Sequence, residues 1–202
     1  MQATSLTNGL RSAPSGGTLA SVLNLFDGYS LKELHHAHSP YSISPIPGPK
    51  VASPKSWITK LFGVVTVPDL GILTTNIGAA ANVAIVQRSW GLFGGSYGPR
   101  FTYSEYMKSR NYLTAISFHL VLTVASIFLT IPFIRSLVKK AVYQPGEGAA
   151  KEDTTSDRVE YRGIAVPDIQ TPNPPRAYVR AHYEGGIYQC TSQIHLPLPS
   201  NG

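Results

Sequence analysis

One long uncharged segment, Tyr112 to Ile134, limits what this chain can fold into more than any other part of its sequence. Its sequence is YLTAISFHLVLTVASIFLTIPFI, with no Asp, Glu, Lys or Arg. A helix rises about 1.5 Å per residue, so a helix of this length crosses a hydrocarbon layer of about 30 Å. The flanking cations, which can snorkel to lipid headgroups, are Lys108, Arg110, Arg135, Lys139 and Lys140. The segment predicts a hydrophobic membrane helix over residues 108–140; the alternative is a buried core helix, which in a small soluble domain seldom stays uncharged for so long.

The depth of this helix in the membrane is a separate question. The residues expected to contact lipid are Tyr112, Leu113, Phe118, Leu122, Phe128, Pro132 and Ile134. Pro132 is expected to bend or end the helix, because proline lacks a backbone N–H. Cations flank both ends, so the positive-inside rule gives no orientation. A full span and a shallow or re-entrant placement in one leaflet therefore both stay open.

Composition agrees with membrane contact. Charged residues make up 14% of the 202 residues, against about a quarter in typical soluble domains, and the net charge is +6. A basic balance suits an anionic membrane surface, whereas nucleic-acid binding needs a basic stripe with stacking aromatics or a known module, which the sequence lacks. The single cysteine, Cys190, excludes an internal disulfide and fits a reducing compartment. The expected location is the cytosolic side of a lipid droplet, endoplasmic reticulum, mitochondrial or plasma membrane, with no nucleic-acid partner.

The N-terminal part predicts a disordered start and then a helix. Residues 1–14 are polar and contain Gly and Pro, so we expect them to be disordered. A helix is expected to follow, with Ser15 or Thr18 as its N-cap and Gly28 as its end. A Gly-Gly turn at a helix N-terminus can bind an anion such as a cofactor phosphate, although a plain helix cap is the simpler explanation, because any helix start supplies the same donors. The candidate cofactor-binding residues are Ser15, Gly16, Gly17 and Thr18.

Three histidines do not predict a metal site. His35 and His36 are adjacent and cannot easily face one ion, and no nearby Cys or ordered series of Asp and Glu completes a ligand set with them or with His38. Residues 40–56 are proline-rich and predict an extended connector. The short segment Trp57 to Phe62 can contact an interface, although core packing is the simpler explanation.

The middle of the chain predicts a helix over Ala79 to Trp90, with Asn76 or Asn82 as a helix cap. Ile85, Val86 and Trp90 are expected to be buried, and Gln87 and Arg88 exposed. The following GLFGGSYG lacks the G-x-G-x-x-G order of a dinucleotide fingerprint.

Alternating segments predict three strands. Phe101 to Tyr106 is expected to be a strand that leads into the apolar segment. Arg158 to Val166 and Arg176 to Glu184 predict an antiparallel pair with one basic exposed face, and Val179 on the covered face. If the first strand shares a sheet with this pair, a single membrane crossing would separate them. The expected fold class is α+β, with an antiparallel or mixed sheet, flanking helices and one long hydrophobic helix.

A series of short stretches carries a family resemblance. They are SGGTLASVLNLFDGYS, PYSISPIPGPK, VPDLGILTT, VAIVQRSWGL, YGPRFTYSEYM, VYQPGEG, DRVEYRGIAV and YEGGIY, in this order. Together they resemble the C-terminal portion of fungal saccharopine dehydrogenase-like oxidoreductases, a group that includes the mycobacterial trans-acting enoyl reductases. The resemblance implies an N-terminal Rossmann domain that holds NAD(P) and a substrate-side domain with a hydrophobic segment. It also implies a link to lipid droplets, membranes and glycolipid biosynthesis.

The sequence departs from that family in two places. It has no strand–GxGxxG–helix unit, so we expect the Rossmann half to be absent and no NAD(P) to be bound by this chain alone. The tail over 189–202 is atypical and suggests an altered or truncated terminus. The substrate-side domain is then expected over 15–107 and 141–188. No catalytic residue carries over: the polar residues in the shared stretches are explained equally by solvation or capping, and they are Arg88, Tyr103, Glu105 and His119.

Three functions follow as hypotheses. The first is a membrane-associated substrate-side portion of an NAD(P)-dependent oxidoreductase that acts on lipid or glycolipid precursors. The second is a non-catalytic module for membrane anchoring or dimerisation, and the third is an unrelated single-span protein. The expected partners are membrane lipids, a lipid-like substrate and a second copy of the chain.

Overall fold

One mixed sheet carries the fold. The computed structural model describes residues 2–8, 16–49, 57–141, 158–167, 169 and 171–185. The described strands are β1 (Gln2–Asn8), β2 (Val65–Val67), β3 (Gly71–Thr74), β4 (Thr102–Lys108), β5 (Arg158–Val166) and β6 (Ala177–Glu184). Their order across the sheet is β2-β3-β4-β1-β5-β6. Four of the five pairings are antiparallel and β1–β4 is parallel, which confirms the predicted mixed α+β class.

Strand β1 lies where the sequence predicts disorder, so that prediction is wrong for residues 2–8. Gln2 pairs with Thr102 of β4 on one side and with Val166 of β5 on the other. The segment QATSLTN has no apolar alternation. Its backbone groups pair with a neighbour on each side, and this tertiary context decides its conformation more than propensity does. As a result, β4 and β5 belong to one sheet.

Six helices accompany the described sheet. They are α1 (Gly16–Gly28), α2 (Leu31–Ala37), α3 (Trp57–Phe62), α4 (Ala79–Leu92), α5 (Tyr112–Leu129) and α6 (Pro132–Ala141). The predicted single helix over 108–140 is therefore two helices, and Lys108 belongs to β4. The break falls before Pro132, the first residue of α6, where the missing N–H costs no intrahelical hydrogen bond.

The core is small and lies against the sheet. Leu70, Leu73 and Ile164 are buried together. Trp90 is also buried, and its ring meets Tyr41 edge-on with centroids 5.3 Å apart. Confirmed features include strand β4 and the antiparallel β5–β6 pair.

Trp90 is buried as predicted, but single positions on two predicted buried faces are wrong. In α4, Ile85 is exposed and Gln87 is buried, because the Gln87 Oε1 accepts a 2.7 Å hydrogen bond from the Tyr41 backbone N–H. In β6, Val179 is exposed, since no described element covers that face of this edge strand. Asn76 and Asn82 do not cap α4, whose N-cap is Gly78.

Candidate membrane-contacting surface

Helix α5 is apolar and almost entirely uncovered. It is 18 residues long, about 27 Å, which makes it the one described helix long and apolar enough to cross a membrane. Only 6% of these residues are buried inside the protein, namely Ala115. The core helix of a soluble protein is mostly buried, so α5 is not a core helix of the described structure.

The residues predicted to contact lipid lie along this uncovered surface. Leu113, Phe128 and Pro132 are exposed, as is Tyr112. Phe118, Leu122 and Ile134 are half-buried, so none of the seven is fully buried.

Three hydroxyl groups in and directly after the C-terminal half of α5 are satisfied by carbonyls of the same helix. The Thr123 Oγ1 donates to the His119 carbonyl and the Ser126 Oγ to the Leu122 carbonyl, each at 2.8 Å. The Thr130 Oγ1 donates to the Ile127 carbonyl at 2.7 Å. A hydroxyl paired in this way needs no water, which makes these polar residues compatible with an apolar surrounding.

The N-terminal end of α5 is attached to the sheet. The Thr74 Oγ1 donates to the Ala115 carbonyl at 2.9 Å, and the Thr75 Oγ1 lies 2.7 Å from the His119 Nδ1. The Asn111 side chain caps the helix by accepting from the Thr114 N–H at 2.8 Å. The two bonds from Thr74 and Thr75 attach the start of α5 to the end of β3.

A buried arginine caps the C-terminal end of α5. The Arg135 Nη1 donates to the carbonyls of Leu129 at 2.8 Å and Thr130 at 3.1 Å, and these belong to the last turn of α5. The Arg135 Nε donates to Asp27 Oδ1 on α1 at 2.7 Å, and its side chain is 10% exposed. Arg135 was predicted to face lipid headgroups, and this is wrong because its guanidinium is occupied by the helix end and by Asp27.

Lys139 joins the same cluster. Its Nζ donates to Asp27 Oδ2 and, at 3.0 Å, to Asn24 Oδ1. Hydrogen bonds from Lys139 and then Arg135 lower the pKa of the Asp27 carboxyl. Sequence reasoning missed this cluster, since Asp27 and the two cations are more than 100 positions apart and no local pattern links them. It joins α1 to the α5–α6 break.

Helices α3 and α6 add exposed apolar side chains beside α5. Trp57 of α3 is 70% exposed, and Leu61 of the same helix is also exposed. Core packing is therefore the wrong explanation for this segment, which contacts α5 but leaves its large side chains uncovered. Phe133 and Leu137 of α6 are exposed as well. We call the exposed apolar side chains of α3, α5 and α6 the apolar surface.

The remaining candidate residues lie elsewhere. Ser15 is outside the described residues, while Gly16, Gly17 and Thr18 form the first turn of α1, so Thr18 is not its N-cap. The Ser21 Oγ donates to the Gly17 carbonyl at 2.8 Å. A cofactor role for this turn stays a prediction. Within the described parts of the chain, no three His, Cys, Asp or Glu side chains come close enough to hold a metal ion.

The polar residues of the shared stretches have structural partners. The Arg88 Nη1 donates to the Ile43 carbonyl at 3.0 Å, and His119 bonds Thr75. Glu105 is buried and bonded to side chains of other elements, so solvation does not explain it.

A scan against protein-family models, a search of curated proteins and a search of solved structures each find no match for this chain. The fold and the surface define an α+β protein with one long apolar helix exposed beside its sheet.

Proposed function

We propose that this chain is a membrane-associated protein whose apolar surface lies in lipid. The observation that carries the proposal is the exposure of α5, with 6% of its 18 residues buried and no charge along its length. In water this surface would be costly, at about 25 cal/mol per Å² of apolar area. Lipid covers such a surface without a specific partner.

The sheet topology supports entry and exit on one side of the membrane. Strand β4 precedes α5, strand β5 follows α6, and both are hydrogen-bonded to β1. A single crossing would carry β5 to the side opposite β4. The break before Pro132 and the Arg135 cap at that break favour a re-entrant or one-leaflet placement.

The resemblance extends the proposal to a metabolic role. We propose that the chain is the substrate-side portion of a saccharopine dehydrogenase-like NAD(P)-dependent oxidoreductase linked to lipid or glycolipid metabolism. The mixed sheet, with one parallel pair among its described strands, is not a doubly wound nucleotide-binding sheet. This topology supports the proposal that the chain does not catalyse hydride transfer by itself. The alternative is a non-catalytic module for anchoring or dimerisation.

Alkaline carbonate extraction and protease protection test the membrane part. With a tag at each end, we expect the chain to stay in the membrane pellet and both tags to be cleaved from the same side. Release into the aqueous fraction would contradict membrane association. Protection of one tag alone would contradict the one-sided placement.

Titration of the purified chain with NADPH tests the metabolic part separately. We expect no saturable change in nicotinamide fluorescence. Saturable binding would overturn the claim that this chain lacks the cofactor site, without affecting the membrane result.

A further inference from the structure

A cavity of about 840 Å³ lies between α4, β4 and the segment that follows α2. Its size is within the range of small-molecule sites, which is about 300 to 1,000 Å³. Tyr103 and Glu105, two positions apart on β4, point to the same face of the sheet. The cavity is distinct from the apolar surface of α3, α5 and α6.

The polar group of this cavity is the Glu105 carboxylate, which is 7% exposed. Its Oε1 accepts hydrogen bonds from the side-chain amides of Asn76 at 2.7 Å and Asn82 at 2.9 Å. Its Oε2 accepts a longer one, 3.3 Å, from the Tyr103 hydroxyl. A carboxylate has about four acceptor positions, so Oε2 has capacity for a further donor.

The charge of Glu105 has no cationic partner among the described side chains. None of the described residues that line the cavity is Lys or Arg, and the ion pairs of the described residues do not include Glu105. The basic side chain at the cavity wall is His38, whose Nδ1 lies 2.7 Å from the Leu34 carbonyl. The three neutral donors offset part of the cost of burying this carboxylate, and an ammonium group at Oε2 would neutralise its charge as well.

The cavity walls suit a cation with an apolar body. Tyr41 and Tyr103 supply aromatic rings, which attract cations through their faces. Val83 and Ala84 of α4 supply an apolar wall.

We propose that this cavity binds a primary amine with a short apolar body, and that the ammonium group pairs with Glu105 Oε2. The proposal goes beyond the proposed function and does not depend on membrane association. It assigns the cavity a ligand class by charge: cationic amines are bound, and carboxylates are rejected.

Tryptophan fluorescence of the full chain tests this proposal. The sequence has two tryptophans, so Trp57→Phe leaves Trp90, whose ring contacts Tyr41 at the cavity wall. The chain is placed in zwitterionic nanodiscs, with empty nanodiscs as the blank, and titrated at neutral pH with hexylamine, hexanol and hexanoate. We expect saturable quenching by hexylamine, about tenfold weaker binding of hexanol, and no binding of hexanoate.

Variants distinguish the effect of the Glu105 charge from the effect of the cavity volume. In Glu105→Gln the carbonyl oxygen still accepts from both asparagines, and we expect hexylamine to bind only as weakly as hexanol. Val83→Phe fills the cavity and should weaken both ligands, while Glu184→Gln, on an exposed residue of β6, should change nothing. Equal binding of hexylamine and hexanol to the wild-type cavity overturns the proposal. If Glu105→Gln loses its near-UV circular dichroism signal, unchanged hexylamine binding by a folded Val83→Phe variant overturns it instead.

Discussion

Gly63 lies directly against the His119 ring at the base of α5. Its φ of 65° is in the left-handed region, and a Cβ at this position would lie 2.1 Å from the His119 Cγ. We expect Gly63→Ala to lower the free energy of unfolding by about 2 kcal/mol, because it combines backbone strain with displacement of a packed ring. Thermal unfolding followed by circular dichroism measures the change.

Gly94 provides the matched control. Its φ is 61°, but a Cβ there meets nothing within 4 Å. Gly94→Ala should therefore show only the backbone part, about 1 kcal/mol. Equal losses for the two variants would mean that His119 does not pack against residue 63.

Asp27 makes the α1–α6 contact sensitive to acid. Lys139 and Arg135 stabilise the ionised carboxylate in the folded state, so its pKa lies below the ordinary value. The stabilisation is complete above the ordinary carboxyl pKa and is lost as the pH falls through the lowered one. We expect Asp27→Asn to lower Tm at neutral pH and the difference from wild type to shrink in acid. A difference that is constant from neutral to acid pH would contradict the ion-pair explanation.

Single-residue roles were the hardest to predict from the sequence. For Glu105 the sequence offers solvation or capping as explanations, because its immediate neighbours carry no signal of burial. Asn76 and Asn82 are remote in sequence and bury it only after α4 packs on β4. The same applies to Arg135, whose partner Asp27 is on another helix.

At the scale of elements, Glu160 holds the β5–β6 pair together. Arg162 of β5 lies directly opposite Arg180 of β6, and Glu160 bonds both guanidinium groups. Hydrogen bonds from Arg162 and then Arg180 lower the pKa of the Glu160 carboxyl. We expect Glu160→Gln to lower the free energy of unfolding by about 1 kcal/mol, because it leaves two like charges opposed.

A second substitution checks this explanation. In the Glu160→Gln background, Arg180→Gln removes the repulsion and should restore part of the lost Tm. Added salt should also reduce the loss, since it screens exposed charges. A loss of Tm that neither change reduces would mean that Glu160 acts through packing alone.

Elements with a local signal were predicted well. Strand β4 and the β5–β6 pair alternate in sequence, and α4 has strong helix formers. Strand β1 was missed, because QATSLTN carries no such pattern and is ordered by its two neighbours. The helix break was expected at Pro132, but its closure by Arg135 depends on a contact that local pattern does not encode.

At the scale of the whole molecule, two substitutions on α5 distinguish lipid contact from internal packing. Val121 is 66% exposed, whereas Ala115 is 0% exposed. We expect Val121→Asp to keep the circular dichroism spectrum but to lose retention in carbonate-washed membranes, since a charge in lipid costs about 3 kcal/mol. Ala115→Asp should instead unfold the protein, because it buries an unpaired charge. Full membrane retention of Val121→Asp would place α5 outside lipid.

The position of β1 between β4 and β5 also sets an order of events during synthesis. The backbone of Gln2 can pair with Thr102 only after β4 has been synthesised. It can pair with Val166 only after β5 has been synthesised. Helix α5 leaves the ribosome between these two partners, so the nascent chain presents its most apolar helix while the sheet is still open. Delivery to a bilayer, or capture by a chaperone, would therefore compete with closure of the sheet, because α5 is synthesised and exposed before β5 is available to pair.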